Sequence, residues 1–222
     1  SGNSFSILTV YNAKVPQRHN LDQLVNKRRL LSCFWDNVTF SELCKKKMKT
    51  FAYGSNMNID RLQERTPSAV KVSNASIKGY KFRCNKVSNT GSSKGNIVFT
   101  GDENDVVWGV IYEIDDNEKP NLDRVEGLGQ GYNQTTITVK NSDNQDEDVQ
   151  VYVADPGAIN ENMRPFDWYR DFILSGAEQN KLPEEYIEEL RSVQSTIDTN
   201  ATRRESNYSI MGIEINDNQQ DQ

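Results

Sequence analysis

The stretch that decides the fold is "DVVWGVIYEI", residues 105–114. In an extended strand successive side chains point to opposite faces. One face here carries Val106, Trp108, Val110 and Tyr112, and the other carries Val107, Gly109 and Ile111. Apolar residues on both faces are typical of a strand that is buried on both sides, so we predict that this strand is central in a sheet.

Short apolar runs separated by Gly and Asn surround this strand. We predict strands at 48–53, 69–73, 77–84, 96–101, 106–114, 131–140 and 148–154. A helix is predicted to begin after Asn56 or Asn58, and a second is predicted around 119–126. Many short strands at close spacing indicate a sheet that curls or closes into a barrel with few helices attached.

The apolar period becomes helical in "RPFDWYRDFILSGAEQNKLPEEYIEELRSV", residues 164–193. Two helices are predicted, over 165–176 and 183–193, with Gly176 ending the first and Pro183 starting the second. The expected fold class is therefore α+β: a small mixed, partly closed β-barrel with flanking helices and a C-terminal helical hairpin.

The chain divides into three regions that differ in composition and hydrophobic pattern. Residues 48–193 form the predicted domain, and residues 1–47 are an N-terminal extension of unknown role in which "LDQLVNKRRLLSCFW", 21–35, has helical spacing. Residues 194–222 are a polar tail that we predict to be mobile. Within it "YSIMGIEI", 208–215, could add an edge strand or dock on a partner.

Composition favours a small-molecule partner. The net charge of -6 gives nucleic acid and anionic membranes no large electrostatic attraction, and no stretch has the roughly 20 apolar residues that span a bilayer. Cys33, Cys44 and Cys84 lack CxxC spacing, so neither a disulfide framework nor a cysteine zinc site is indicated. A reducing, cytoplasmic setting is expected.

His19 is the single histidine and is predicted to be a solvated loop residue, so proton transfer must fall to other side chains.

The first candidate for chemistry is "FAYGSNM", residues 51–57. A strand-like approach enters a turn at Gly54, Ser55 and Asn56, and glycine lets the backbone come close to a ligand. The N–H groups of such a turn can hold a carboxylate or a carbonyl oxygen. A plain strand-to-helix connection is the competing interpretation. The pattern differs from the phosphate-binding P-loop, so no nucleotide is implied.

The second candidate is "LDRVEGLGQGYN", residues 122–133. Glu126 is followed by Gly127, Gly129 and Gly131, a flexible stretch that can hold an acidic side chain near a ligand. A carboxylate shielded by apolar walls binds its proton more tightly and can act as a general base and acid near neutral pH. The competing interpretation is a glutamate on a surface turn.

The ordered set "FAYGSNM", "VVWGVIYEI", "LDRVEG…GYN" and "WYRDFILSGAEQNKLPEEYIEEL" resembles the gamma-glutamylcyclotransferases over about residues 48–193. The resemblance implies cleavage of gamma-glutamyl amino acids or amines to 5-oxoproline and a free amino compound, with no metal or organic cofactor. It implies that Glu126 is the catalytic acid-base residue. The implied substrate-binding residues are Tyr53, Gly54, Ser55, Asn56, Tyr132 and Tyr169, with Trp168 as the alternative in register to Tyr169.

The resemblance leaves several matters open. The glutathione-specific branch usually carries Leu after Tyr-Gly-Ser, so Asn56 speaks against glutathione as the substrate. The amine leaving group, a homodimer, and the choice of oxyanion or alpha-carboxylate for the turn are undecided. Two alternatives stand beside the main interpretation: a catalytically inactive binding module on the same barrel, and the same chemistry on a specialised gamma-glutamylated intermediate.

Overall fold

The computed structural model describes residues 46–215. The predicted helix at 21–35 and His19 lie outside the described residues, as do residues 216–222. Seven strands are present, and they are β1 Lys47–Ala52, β2 Val70–Lys78, β3 Tyr80–Val87, β4 Ser93–Phe99, β5 Val106–Asp115, β6 Tyr132–Asn141 and β7 Asp146–Ala154.

Five of these strands form a closed barrel in the order β1-β5-β2-β6-β7, and β3 and β4 form a separate two-stranded sheet. Neighbouring barrel strands are antiparallel except at the closure, where Thr50 of β1 pairs in parallel with Gln150 of β7. The predicted mixed barrel is confirmed, and it is closed completely rather than partly.

Strand β5 is central, as predicted from its two apolar faces. It pairs with β1 on one side and β2 on the other, and Val107, Val110 and Ile111 are fully buried. Gly109 permits this packing, because a Cβ there would lie 2.4 Å from the carbonyl oxygen of Ala52. The pairing register Ala52↔Val110 fixes where β1 ends, and hence where the Tyr-Gly-Ser-Asn turn begins.

The predicted division between strands 69–73 and 77–84 was wrong. One strand runs continuously through Val70–Lys78, and the break falls at Gly79, whose φ of +77° is in the left-handed region that favours glycine. The next strand, β3, then leaves the barrel and pairs with β4, with Phe82 opposite Ile97.

Five helices complete the described part of the chain, and they are α1 Ile59–Gln63, α2 Lys119–Glu126, α3 Asp167–Gln179, α4 Glu184–Arg191 and α5 Ala201–Ile210. The predicted end of α3 at Gly176 was wrong, because the helix continues through Gln179. Gly176 serves packing instead: a Cβ there would lie 2.5 Å from the backbone nitrogen of Asn58. Because glycine has no Cβ atom, α3 packs directly on the turn that follows β1.

The segment predicted to be a mobile tail contains helix α5, and its described residues, 194–215, add no strand to either sheet. Asn200 caps the helix through its side chain, which accepts a hydrogen bond from the N–H of Arg203. Arg203 donates two hydrogen bonds to Asp198, and Tyr208 is buried in the core. Over residues 46–215, none of the helices has both the length and the apolar character needed to cross a membrane.

Candidate functional site

The site begins where β1 ends. Tyr53 and Gly54 lead into a single 3-10 turn, Ser55–Met57, which is closed by a hydrogen bond from the N–H of Met57 to the carbonyl oxygen of Gly54. Within residues 46–215, the N–H groups of Gly54, Ser55 and Asn56 donate to no partner. Three neighbouring donors are therefore available to a ligand.

Glu126 is the last residue of α2. Gly127 ends that helix in the left-handed conformation, with φ of +69°, and accordingly its N–H caps the carbonyl groups of Asp123 and Arg124. The Oε1 atom of Glu126 accepts hydrogen bonds from Asn56 Nδ2 at 2.8 Å and from Arg65 at 3.2 Å. Its side chain is 18% exposed. The carboxylate thus lies beside the Tyr-Gly-Ser-Asn turn, with an amide and a guanidinium as neighbours rather than the expected apolar walls.

Asn56 joins the turn to Glu126. Its Nδ2 donates to Glu126, and its Oδ1 accepts a hydrogen bond from Arg65. This side chain therefore links the Glu126 carboxylate to the Arg65 guanidinium.

Four tyrosines line the site, and the hydroxyl groups of the three that were named from the sequence differ in what they donate. Tyr53 donates to the carbonyl oxygen of Tyr152 and Tyr132 donates to the carbonyl oxygen of Gly95, both at 2.5 Å. The hydroxyl of Tyr169 instead accepts from the N–H of Gly95 at 2.9 Å, and within residues 46–215 it donates to no acceptor. Burial raises the pKa of Tyr169 to about 12, so its proton is retained at neutral pH.

These groups surround one cavity of about 40 Å³. All seven residues named from the sequence line it, namely Tyr53, Gly54, Ser55, Asn56, Glu126, Tyr132 and Tyr169. The register alternative, Trp168, does not line this cavity, and its indole N–H donates to Asp198. The structure therefore brings the predicted residues together, while their roles remain predictions.

The sequence did not point to Arg65 or Gly95. Arg65 follows shortly after α1 and reaches Glu126, and Gly95 on β4 supplies the N–H and carbonyl groups that hold two tyrosine hydroxyls. Arg61 and Arg65 are four positions apart after the turn, which was the available signal for a basic face near the site. Gly95 gave no comparable signal, because its role depends on contacts with distant residues.

A second cavity, of about 180 Å³, adjoins the first. Ser55, Glu126, Tyr132 and Tyr169 line both cavities. The remaining polar lining of the second cavity is mainly basic, and its basic residues are Arg61, Arg65, Lys86, Lys94 and Arg124. Over residues 46–215, no three His, Cys, Asp or Glu side chains are grouped so that they could hold a metal ion.

Comparison with known proteins places these features in a family context. Residues 106–190 match the model of the AIG2-like family. The gamma-glutamylcyclotransferase of Bos taurus is 32% identical over 151 residues, covering 65% of this chain and 77% of the relative. The gamma-glutamylcyclotransferase of Homo sapiens is 30% identical over 151 residues with the same coverage.

A solved structure of a gamma-glutamyl cyclotransferase has a similar fold. It superposes with a TM-score of 0.66 at 25% sequence identity, covering 76% of this chain and all of that protein.

Proposed function

Because this chain belongs to the gamma-glutamylcyclotransferase family and is an enzyme of that type, we propose that it cleaves gamma-glutamyl amino acids or amines to 5-oxoproline and the free amino compound. The observation that carries the proposal is the contact between the Tyr-Gly-Ser-Asn turn and Glu126. Asn56 of the turn donates to the Glu126 carboxylate at 2.8 Å, and both residues line the same cavity.

In the proposed reaction the substrate's alpha-amine attacks its own gamma-carbonyl carbon. A C–N bond forms to close the five-membered lactam, and the C–N bond to the departing amine breaks. Nucleophile and electrophile belong to one molecule, so the protein's task is to fold the substrate, and oriented intramolecular reactions reach effective molarities of about 10⁵ M or more.

Proton transfer is assigned to Glu126. The alpha-nitrogen enters as an ammonium with three protons and leaves as a lactam N–H with one, whereas the departing amide N–H ends as an ammonium. Two protons therefore pass from one nitrogen to the other, and a carboxylate that accepts and returns each proton accounts for both transfers. The other ionisable groups at the cavity wall are the tyrosines, and the raised pKa of Tyr169 leaves it protonated.

Charge on the carbonyl oxygen grows as the tetrahedral intermediate forms, and donors fixed in advance stabilise it. Two sets of donors at the cavity are unused: the N–H groups of Gly54, Ser55 and Asn56, and the hydroxyl of Tyr169. We assign one set to the gamma-carbonyl oxygen and the other to the alpha-carboxylate of the glutamyl group. A Cβ placed on Gly54 would be 3.5 Å from the Tyr169 hydroxyl, so the two sets lie close together.

The test is Glu126→Gln, which preserves shape and hydrogen bonding but removes the base. Wild-type protein is expected to release 5-oxoproline from at least one of gamma-glutamyl-alanine, gamma-glutamyl-lysine and glutathione, with glutathione a poorer substrate than gamma-glutamyl-alanine. The variant is expected to lose at least about 10²-fold in kcat, the lower range for general acid–base catalysis. Glu185→Gln, an exposed change on α4, is the matched control.

Two outcomes would reject the proposal. Near wild-type 5-oxoproline release by a folded Glu126→Gln protein would remove Glu126 from the chemistry. No product from any substrate with wild-type protein would favour the non-catalytic binding module.

A further inference from the structure

The second cavity is strongly basic although the chain as a whole has a net charge of -6. Among the described residues, five basic side chains and a single acidic one, Glu126, line it. Arg65 forms an ion pair with Glu126, which leaves the other four basic groups without a carboxylate partner in the cavity. Such an excess of like charge is costly in a partly enclosed space unless a ligand of opposite charge occupies it.

Two lysines of this cavity are held without any anionic partner within residues 46–215. Lys86 is only 7% exposed, and its ammonium lies 4.7 Å from the ring centre of Tyr132. The Lys94 ammonium lies 4.0 Å from the ring centre of Tyr169 and 4.3 Å from that of Trp168. Neither ammonium makes an ion pair or a side-chain hydrogen bond in the described part of the chain, so both retain donors for a ligand.

Arg61 adds a second buried cation beside Lys86. It is 7% exposed, its Nε donates to Ser55 Oγ at 3.1 Å, and its NH1 donates to Asn207 at 2.9 Å. The guanidinium is stacked 4.2 Å from the ring centre of Phe172. Its hydrogen-bond partners in the described part of the chain are neutral, so no carboxylate there compensates its positive charge. Through Ser55 it links the basic cavity to the Tyr-Gly-Ser-Asn turn.

The position of the cavity decides which part of the substrate would meet these charges. The smaller cavity holds the turn and the unused donors assigned to the glutamyl group, while Glu126 lies on the wall that both cavities share. An amide nitrogen that receives its proton from Glu126 would thus have its departing group in the larger, basic cavity. One carboxylate on that group would leave most of the cations uncompensated.

We propose that the preferred substrates are gamma-glutamyl conjugates whose departing amine carries at least two negative charges, as an acidic amino acid does. This inference rests on the proposed cyclisation at Glu126, and it specifies the chemical class of the leaving group. Lys86 and Lys94 are the specificity-determining residues, because both line the leaving-group cavity and neither makes an ion pair within residues 46–215. Lys86 is buried and Lys94 is half-buried.

The test compares three substrates that differ in the charge of the departing amine: gamma-glutamyl-glutamate, gamma-glutamyl-glutamine and gamma-glutamyl-ethylamide. The first two have nearly the same shape and differ by one carboxylate. For wild-type protein we expect kcat/KM for the glutamate conjugate to be at least about ten times that for the glutamine conjugate. A hydrogen bond to a charged group contributes enough free energy to produce a ratio of this size. The ethylamide is expected to be the poorest.

Lys86→Met and Lys94→Met keep the apolar stem of the side chain and remove its charge. Each is expected to reduce the glutamate-to-glutamine ratio of kcat/KM severalfold, and the double variant is expected to bring it close to one. Lys78→Met, at an exposed position on β2, is the control and is expected to keep the wild-type ratio.

The outcomes separate this inference from the proposed function. Release of 5-oxoproline at equal kcat/KM from the glutamate and glutamine conjugates, or a preference unchanged in the double lysine variant, would overturn the inference alone. No release from any conjugate would overturn the cyclisation. In that case calorimetric titration of the same pair decides the ligand class: about tenfold tighter binding of the glutamate conjugate supports an acidic-ligand site, and equal binding rejects it.

Discussion

The guanidinium of Arg65 lies 3.2 Å from Oε1 of Glu126, although the two residues are 61 positions apart in the chain. Asn56 donates to the same oxygen atom and accepts a hydrogen bond from the same guanidinium. Glu126 is therefore held by two residues from the segment that carries the turn and α1. Its position relative to the turn is set by this arrangement rather than by the glycines that follow it.

Removal of Arg65 tests this arrangement. Arg65→Met is expected to lower kcat about tenfold to 10²-fold, because small misplacements of a catalytic group have effects of that size. KM for gamma-glutamyl-ethylamide is expected to change less than kcat, since this substrate has an uncharged leaving group. Steady-state kinetics with that substrate measures the effect.

Arg65→Lys is expected to restore part of the lost kcat, because its ammonium can still donate to the carboxylate, although the lysine side chain is one bond shorter than the path to the NH1 nitrogen that makes both contacts in Arg65. Arg191→Met, which removes an exposed arginine of α4, is the control. Equal kcat for Arg65→Met and wild type would show that Glu126 needs no support from Arg65.

The two tyrosines that meet at Gly95 form a matched pair. Tyr132→Phe and Tyr169→Phe each remove one hydrogen bond to the Gly95 backbone, so each is expected to lower the free energy of unfolding by about 1 kcal/mol. Of these two tyrosines, Tyr169 is the one whose hydroxyl proton meets no acceptor within residues 46–215, so it is free for a ligand. Tyr169→Phe is expected to lower kcat/KM about 10²-fold, as loss of an oxyanion donor does, with a much smaller effect for Tyr132→Phe. Urea unfolding and 5-oxoproline assays on both variants provide the comparison, and equal losses of activity would contradict it.

The sequence was sufficient for the parts of the fold that depend on local pattern. The two apolar faces of β5 and the helical period of α2, α3 and α4 were visible in single stretches. The predictions failed where contacts between residues that are far apart in sequence determine the local structure. Gly176 looks like a helix end, but it lies inside α3 because the backbone of Asn58 packs against it. Helix α5 was not predicted, because the groups that stabilise it, Asp198 and Arg203, are charged and give no apolar period.

In the candidate site, too, the features carried by short motifs could be predicted and those that depend on residues far apart in sequence could not. The turn and Glu126 could be named from short motifs, and the resemblance to a family supplied their roles. The support around them could not be named, because Arg65 and Gly95 act through residues far away in sequence. The basic cavity likewise collects Arg61 from α1, Lys86 from β3 and Lys94 from β4, so no single stretch of sequence shows it.

Gly176→Ala tests the close packing of α3 against the turn. A Cβ there would lie 2.5 Å from Asn58 N and 2.7 Å from the Met57 carbonyl carbon, and backbone atoms cannot move aside cheaply. Overpacking typically costs about 1–3 kcal/mol, whereas alanine gains about 1 kcal/mol over glycine in a helix. We expect a net loss of up to about 2 kcal/mol in the free energy of unfolding by urea, together with reduced kcat. Glu189→Ala, exposed on α4, controls for the alanine itself, and a more stable Gly176→Ala protein would contradict the packing argument.

The last prediction concerns the stability of the basic cavity and its dependence on pH. Burial, together with the nearby charges of Arg61 and Arg65, holds the pKa of Lys94 well below its usual 10.5. The folded protein therefore disfavours the ammonium form, while the unfolded chain binds that proton up to about pH 10.5. Protonated Lys94 should lower stability most below its depressed pKa, and this cost should disappear as the pH rises towards 10.5.

Lys94→Met removes that cost while keeping the side-chain stem. We expect its Tm to exceed that of the wild type at acidic and neutral pH and the difference to shrink towards pH 10, measured by thermal unfolding of the ligand-free proteins. Lys78→Met, with its exposed side chain, should show no such pH-dependent difference. A Tm below that of wild type at pH 7 would mean that the contacts of Lys94 with Tyr169 and Trp168 outweigh its burial. The predicted gain in stability with loss of preference for acidic substrates is the trade-off expected of a charge retained for binding.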